Sequence, residues 1–377
     1  MTPRRPWYAH GHRLEQRWDA WRGALKARLG WRTPAMIQAF RGYGDGARVR
    51  LKGRVLELGG RERWRQRTGR WSDLVRMYHR FATDEVPGAR VRASFAGRTV
   101  ETVSDEEGYF EVALDGFGAV RSGELWRPLE LELLAPLAAA QPPPRVAAPV
   151  LVPPSAAGFA VVSDVDDTIV RTGATSLLRN LRTTLLTSVE GRVAFKGIGA
   201  FYRALERGGG AEVVNPIFYV SSSPWNLYDL LERFIELNGI PLGPLFLRDL
   251  GWDASKFNRS RHADHKLGAI EALLDFYPEL RFILIGDSGQ HDAVIYREVV
   301  RRHPGRILAV YIRELARHSV RGSAARAELD AVRAAGVEAV LCPTLLRAAD
   351  HAAAQGWIAA PAVQAVQAEV EEQTRAA

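Results

Sequence analysis

The chain has 377 residues, 47% apolar and 25% charged, which fits a globular protein of more than one domain and excludes wholesale disorder. Its single cysteine, Cys342, excludes an internal disulfide, and no run approaches the ~20 apolar residues a membrane-spanning helix needs. The net charge of +8 is concentrated at one end, since residues 1–80 hold 20 Arg and Lys against 6 Asp and Glu.

That basic end reads equally as a solvated arginine-rich surface or as a face toward an anionic partner, phospholipid or nucleic acid. The paired arginines of "MTPRRPWYAHGH" have no apolar run behind them, so no secretory or twin-arginine leader is expected. The expected location is cytoplasmic, peripheral at the inner membrane face if the basic end binds lipid. Residues 12–31 carry Leu14, Trp18, Trp21, Leu25 and Leu29 on one helical stripe. Such a helix either lies in a membrane interface or packs on the next domain, the commoner outcome. Residues 1–44 are therefore expected to be a basic, amphipathic helical segment.

Residues 45–135 alternate apolar and polar side chains between Gly-containing turns, which predicts a small antiparallel β-sandwich. Within it, "TVSDEEGYFEVAL" resembles the strand–turn–strand signature of carboxypeptidase-regulatory or transthyretin-like sandwiches, a structural motif that implies no chemistry. The basic stretch 59–80, with Trp64 and Trp71, is expected as a surface loop or helix. The Pro/Ala-rich run 136–157 reads as an extended linker. From 158 to 345, strand candidates at 159–164, 213–221, 281–286, 307–313 and 337–341 alternate with helix candidates at 174–188, 197–208, 224–238, 263–276 and 291–302. This alternation predicts an α/β unit with a Rossmann-like parallel sheet covered on both faces. The tail 346–377 is expected to be helical.

Reactive groups in such folds gather beyond the carboxyl ends of the strands. "AVVSDVDDTIV" places Asp164, Asp166 and Asp167 at one such end, and "RFILIGDSGQHD" places Asp287 and Asp292 at another. If these strands are neighbours, their carboxylates meet, and oxygen ligands without a Cys/His cluster indicate Mg²⁺ rather than zinc. One carboxylate can attack phosphorus, and another two residues on can protonate the leaving alcohol and later activate water. "FYVSSSPW" ends a third strand with Ser221, Ser222 and Ser223, suited to phosphate oxygens. Lys266 would offset the charge of nucleophile and phosphate. His262, His265 and His291 lack zinc-ligand spacing and read as ordinary polar residues.

"DVDDT", a strand-end serine, a lysine and "GDSGQHD", in that order, resemble the haloacid dehalogenase superfamily of aspartate-nucleophile phosphatases. The longer strings "SDVDDTIVRTG", "FYVSSSPWNLYDLLERF", "LFLRDLG", "HKLGAI", "RFILIGDSGQHDAVIY" and "HPGRILAVYIRE" resemble the catalytic domain of the yeast actin-patch phosphatidate phosphatase family, over about 160–345. The resemblance implies Asp164 as nucleophile and Mg²⁺ ligand, and Asp166 as general acid/base whose backbone carbonyl also reaches the metal. It implies Asp287 as a further metal ligand, Asp292 in the outer shell of the metal set and Lys266 as the charge-balancing lysine. Ser221 would bind the phosphoryl group, and Thr168 would order the loop on the substrate side. Asp167 has no assigned role beyond a loop hydrogen bond or helix cap. Ser222, Ser223 and Trp225 either shape the substrate entrance or serve core and capping roles.

The interval between Thr168 and the strand candidate at 213–221 leaves room for a flap but hardly for a large lid, and 239–262 is shorter. Such a minimal cap suits a substrate that cannot be engulfed. Three readings follow: a Mg²⁺-dependent phosphatidate phosphatase, the same chemistry on a soluble phosphomonoester, phosphoprotein or nucleic-acid end, or an inactive lipid- or nucleic-acid-binding adaptor.

Overall fold

The structure is a computed structural model. It describes residues 34–57, 85–116, 124–138, 142–166, 168–169, 195–210, 214–248, 259–288, 291–314 and 319–375. The helix expected at 12–31, the basic stretch 59–80, the helix expected at 174–188 and Asp167 lie outside these residues.

Eight strands form the amino-terminal β-region: β1 (Ala35–Ala39), β2 (Gly42–Gly44), β3 (Arg48–Glu57), β4 (Arg90–Phe95), β5 (Arg98–Val103), β6 (Tyr109–Asp115), β7 (Trp126–Ala135) and β8 (Arg145–Leu151). Alternation sets their register. In β3 the side chains of Val49, Leu51 and Val55 turn inward, and in β6 those of Phe110, Val112 and Leu114 do so. Each fully buried side chain of this size stabilises the fold by about 1.5–3 kcal/mol relative to exposure.

These strands correct three expectations. The strands form one mixed sheet in the order β1-β3-β2-β8-β7-β4-β5, with β6 also paired to β3, and β2 runs parallel to β8. Residues 145–151, inside the stretch read as a linker, are strand β8, hydrogen-bonded to β7 on one side and β2 on the other. The prolines hid this strand. Pro149 faces Pro128 across the ladder, so two residues lacking an N–H share one position, while Ala148 and Val150 are wholly buried beside it. Likewise β1 and β2 occupy residues 35–44, which belong to the segment read as helical.

The second unit alternates strands and helices. Its elements are β9 (Ala160–Asp164), α1 (Ile198–Arg207), β10 (Ile217–Pro224), α2 (Tyr228–Leu237), β11 (Leu245–Arg248), α3 (Arg259–Phe276), β12 (Phe282–Asp287), α4 (Asp292–Arg302), β13 (Ile307–Arg313), α5 (Ser319–Ala334), β14 (Glu338–Cys342), α6 (Leu345–Ala354) and α7 (Ala360–Arg375). The six strands are parallel in the order β11-β10-β9-β12-β13-β14. Near-continuous apolar runs bury both faces. Val161, Tyr219, Ile283 and Tyr311 pack into one core, and Val162, Phe218, Leu284 and Val310 into the other. β11 and α5 were not anticipated, because four residues are too few to show a period and α5 is Ala-rich with weak periodicity.

The tail is helical and docked. Glu369 and Gln373 of α7 accept the backbone N–H groups of Gly199 and Gly197 at the start of α1, at 3.1 and 3.0 Å. They satisfy donors that no residue of α1 itself could. Among the described residues, no helix is long and apolar enough to cross a membrane.

Candidate active site

Strand order reverses at β9, whose neighbours β10 and β12 lead away in opposite directions, which makes the carboxyl ends of these strands the topological switch point where such folds place ligands. Asp164 ends β9 and Asp287 ends β12. Carboxylate oxygens of Asp164, Asp287 and Asp292 lie within 4.8 Å of one another, and all three residues are buried. Asp292 opens α4 and folds back on β12, where its Oδ2 accepts the Asp287 backbone N–H at 3.1 Å. Gly286 permits this approach, since a Cβ there would stand 2.6 Å from Asp292 Oδ2. The glycine of "IGD" is therefore a packing requirement of the site.

Lys266 projects from α3 into the cluster. Its Nζ lies 2.6 Å from Asp164 Oδ1 and 2.8 Å from Asp292 Oδ1, with only 3% of the side chain exposed. Burial alone would lower its pKa, but Asp164, Asp292 and Asp166 together raise it, so the ammonium stays charged. Asp164 moves the other way from an ordinary carboxylate. Burial raises its pKa well above the usual range, Lys266 opposes that rise, and Asp292, Asp166 and Asp287 add to it. Among the described residues, the Lys266 ammonium stands alone against the buried cluster of three carboxylates it adjoins.

A divalent cation fits this imbalance. Asp164 Oδ2 is buried without a hydrogen-bond partner in the protein, and the donor set is all oxygen. The Asp166 side chain is held by the end of β10. There Ser221 Oγ donates to its Oδ2 at 2.8 Å, the Ser222 N–H to the same oxygen at 3.0 Å, and Ser223 Oγ to Oδ1 at 3.2 Å. The Ser223 N–H in turn donates to Ser221 Oγ at 2.9 Å.

Thr168 is buried in the turn after Asp166, and its Oγ1, like Ser222 Oγ, lacks a hydrogen-bond partner. His291 is exposed ahead of α4. Trp225 follows β10 and stacks on rings rather than facing the carboxylates. Two supports of Asp164 carried no sequence signal: Ser163 Oγ donates to the Asp164 carbonyl at 2.7 Å and shares a 2.6 Å hydrogen bond with the buried Tyr202 hydroxyl. Ser223 as a direct partner of Asp166 also went unassigned, because a serine's target across 57 residues has no local pattern.

These residues form a buried carboxylate cluster at the switch point of a parallel sheet, with one lysine and a serine-lined strand end, where such folds place their ligands. Residues 159–314 match the family model for the catalytic domain of phosphatidate phosphatase APP1. Phosphatidate phosphatase APP1 of Saccharomyces cerevisiae is 34% identical over 157 residues, 41% of this chain and 26% of that protein. An uncharacterized protein of Schizosaccharomyces pombe is 27% identical over 162 residues, 42% of this chain and 25% of its own length. The chain thus spans about a quarter of the length of these curated relatives. A solved carbohydrate acetylesterase from Xanthomonas citri aligns with a TM-score of 0.27 at 11% identity, over 71% of this chain and 65% of that one, an overlap too slight to argue from. Residues 159–314 resemble the APP1 family.

Proposed function

We propose that this chain is a Mg²⁺-dependent phosphatidate phosphatase of the haloacid dehalogenase type, releasing diacylglycerol and phosphate. The catalytic unit is 158–345. The observation that carries the reading is the convergence of Asp164 and Asp287, from adjacent strands, on one buried pocket with Lys266. The similarity of residues 159–314 to a phosphatidate phosphatase catalytic domain supports the substrate class.

Asp164, Asp287 and the Asp166 carbonyl would hold Mg²⁺, with Asp292 supporting them from the outer shell. When bound, the ion supplies positive charge against the phosphate and the clustered carboxylates. An Asp164 carboxylate oxygen attacks phosphorus, and the bond from phosphorus to the glycerol oxygen breaks as Asp166 gives that oxygen its proton. Diacylglycerol leaves and an aspartyl-phosphate remains. Asp166, now a carboxylate, takes a proton from water, and the water oxygen attacks phosphorus to release phosphate and restore Asp164. Lys266 holds Asp164 in position and offsets its charge throughout. Ser222 and Thr168, whose hydroxyls have no partner in the protein, are available to phosphate oxygens.

The enzyme would work at a membrane surface, drawn to anionic lipid by the positive net charge of residues 1–80. Phosphate release with Mg²⁺ from micellar phosphatidate and from soluble phosphomonoesters tests the reading. At least about a tenfold preference in kcat/KM for the lipid is expected, a gap of roughly 1.4 kcal/mol. Equal or better turnover of soluble esters would reject the lipid substrate, and no turnover of any phosphomonoester would reject the phosphatase.

A further inference from the structure

The role of the β-region can be read from where it touches the α/β unit. The Asp166 carboxylate is held by three consecutive residues, Ser221 to Ser223, at the end of β10. Two residues further along, a single helical turn of Trp225–Leu227 leads directly into α2. Whatever fixes this turn fixes the serines, and through them the direction of Asp166.

The β-region grips this turn with residues 38–41. Phe40, 2% exposed, packs its ring against both Trp225 and Tyr228, at centroid distances of 5.0 and 4.3 Å and interplanar angles of 16° and 30°, and those two rings lie 6.2 Å apart, so the three form one closed cluster. Around this stack, Gln38 Nε2 donates to Asp229 Oδ1 at 2.7 Å and Arg41 Nε to Glu232 Oε1 at 2.8 Å. The Arg41 backbone N–H donates to the Tyr228 hydroxyl at 2.8 Å, and that hydroxyl donates to Glu232 at 2.9 Å. On the outer side Lys52 Nζ lies 4.9 Å from the centre of the Trp225 ring. An apolar ring stack closed on its polar side by charge-assisted hydrogen bonds has one well-packed arrangement rather than many.

We infer that this clasp makes Phe40, Gln38 and Arg41 positioning residues for Asp166, so that the β-region aligns the acid/base group of the neighbouring unit. The inference rests on the phosphatase reading and adds to it a function for the β-region. None of the three residues touches the carboxylate cluster. They act on the Ser221–Ser223 segment, which carries the constraint to Asp166. A displacement of an acid/base group by about 1 Å is enough to cost on the order of a hundredfold in rate.

A double-mutant cycle in the full chain with Mg²⁺ tests this, using the phosphomonoester that the wild type turns over fastest. Phe40→Ala is expected to lower kcat about ten- to a hundredfold with KM unchanged. In an Asp166→Asn background the same change should cost nothing further, because coupled residues lose one function once. Phe40→Leu, which keeps most of the volume of the stack, should recover most of kcat. The Gln38→Ala/Arg41→Ala pair, which leaves the ring stack intact, should show a smaller kcat loss with the same non-additivity and serves if Phe40→Ala does not fold. Leu131→Ala, in the β-core away from the clasp, should leave kcat of the folded protein unchanged. Additive losses in the cycle, or a change in KM alone, would overturn the inference while leaving the phosphatase intact. Wild-type turnover in Asp164→Asn or Asp166→Asn protein would instead sink the phosphatase reading, and the inference with it.

Discussion

The β-region and the α/β unit bury polar groups in opposite ways. Among the described residues, the buried polar side chain of the β-region is Ser104, which accepts the Ala89 N–H at 2.8 Å and donates to the Val86 carbonyl at 2.7 Å. Its ion pairs, such as Arg50 with Asp115, lie on the surface. The α/β unit buries Asp164, Asp166, Lys266, Asp287 and Asp292 together, with like charges adjacent. Such a cluster destabilises the fold that contains it. A region that satisfies every buried group is built for stability, and one that crowds carboxylates at a strand end has given up stability for chemistry.

The comparison can be broken at its strongest point by Asp164→Asn. Phosphate release is expected to fall by about 10⁴-fold or more, as for loss of a covalent nucleophile. The melting temperature in chelator should not fall, since a buried charge has been removed. Persisting turnover, or a melting temperature lowered like that of a core truncation, would contradict the contrast. Lys266→Met takes the cluster's cation instead and should destabilise by about 3–5 kcal/mol in urea titrations. Added Mg²⁺ should restore part of that loss, because a ligand bound by the folded state alone stabilises it.

In the β-region the order reverses. Leu131→Ala should cost about 2–5 kcal/mol through a core cavity and leave kcat at the folded plateau unchanged. Arg50→Ala, at the exposed pair with Asp115, should cost at most about 1 kcal/mol and less at high salt, measured by the same titration.

Much of the α/β sheet was legible because a doubly covered strand is apolar on both faces, and "RFILIGD" and "FAVVSD" announce themselves. The converging aspartates were legible because each ends such a run. What carried no local signal was pairing over distance. β8 was lost among prolines, of which Pro149 lies within the strand and faces another proline across the ladder. β1 was lost to the basic segment before it, although buried Ala35 and Ile37 alternate with partly exposed Met36 and Gln38. The three-serine hold on Asp166 and the grip of Phe40 on Trp225 join residues 55 to 185 positions apart, where no periodicity reaches. Gly286 was visible as a glycine, but only its 2.6 Å approach to Asp292 gives the reason.

Calorimetric titration of chelator-stripped protein with Mg²⁺, for the wild type and for Asp287→Asn, tests the shared pocket most directly. The account predicts one bound ion in the wild type and none at the same concentrations in the variant. Equal binding by both proteins, or no binding by a wild type that still hydrolyses phosphate esters, would contradict it.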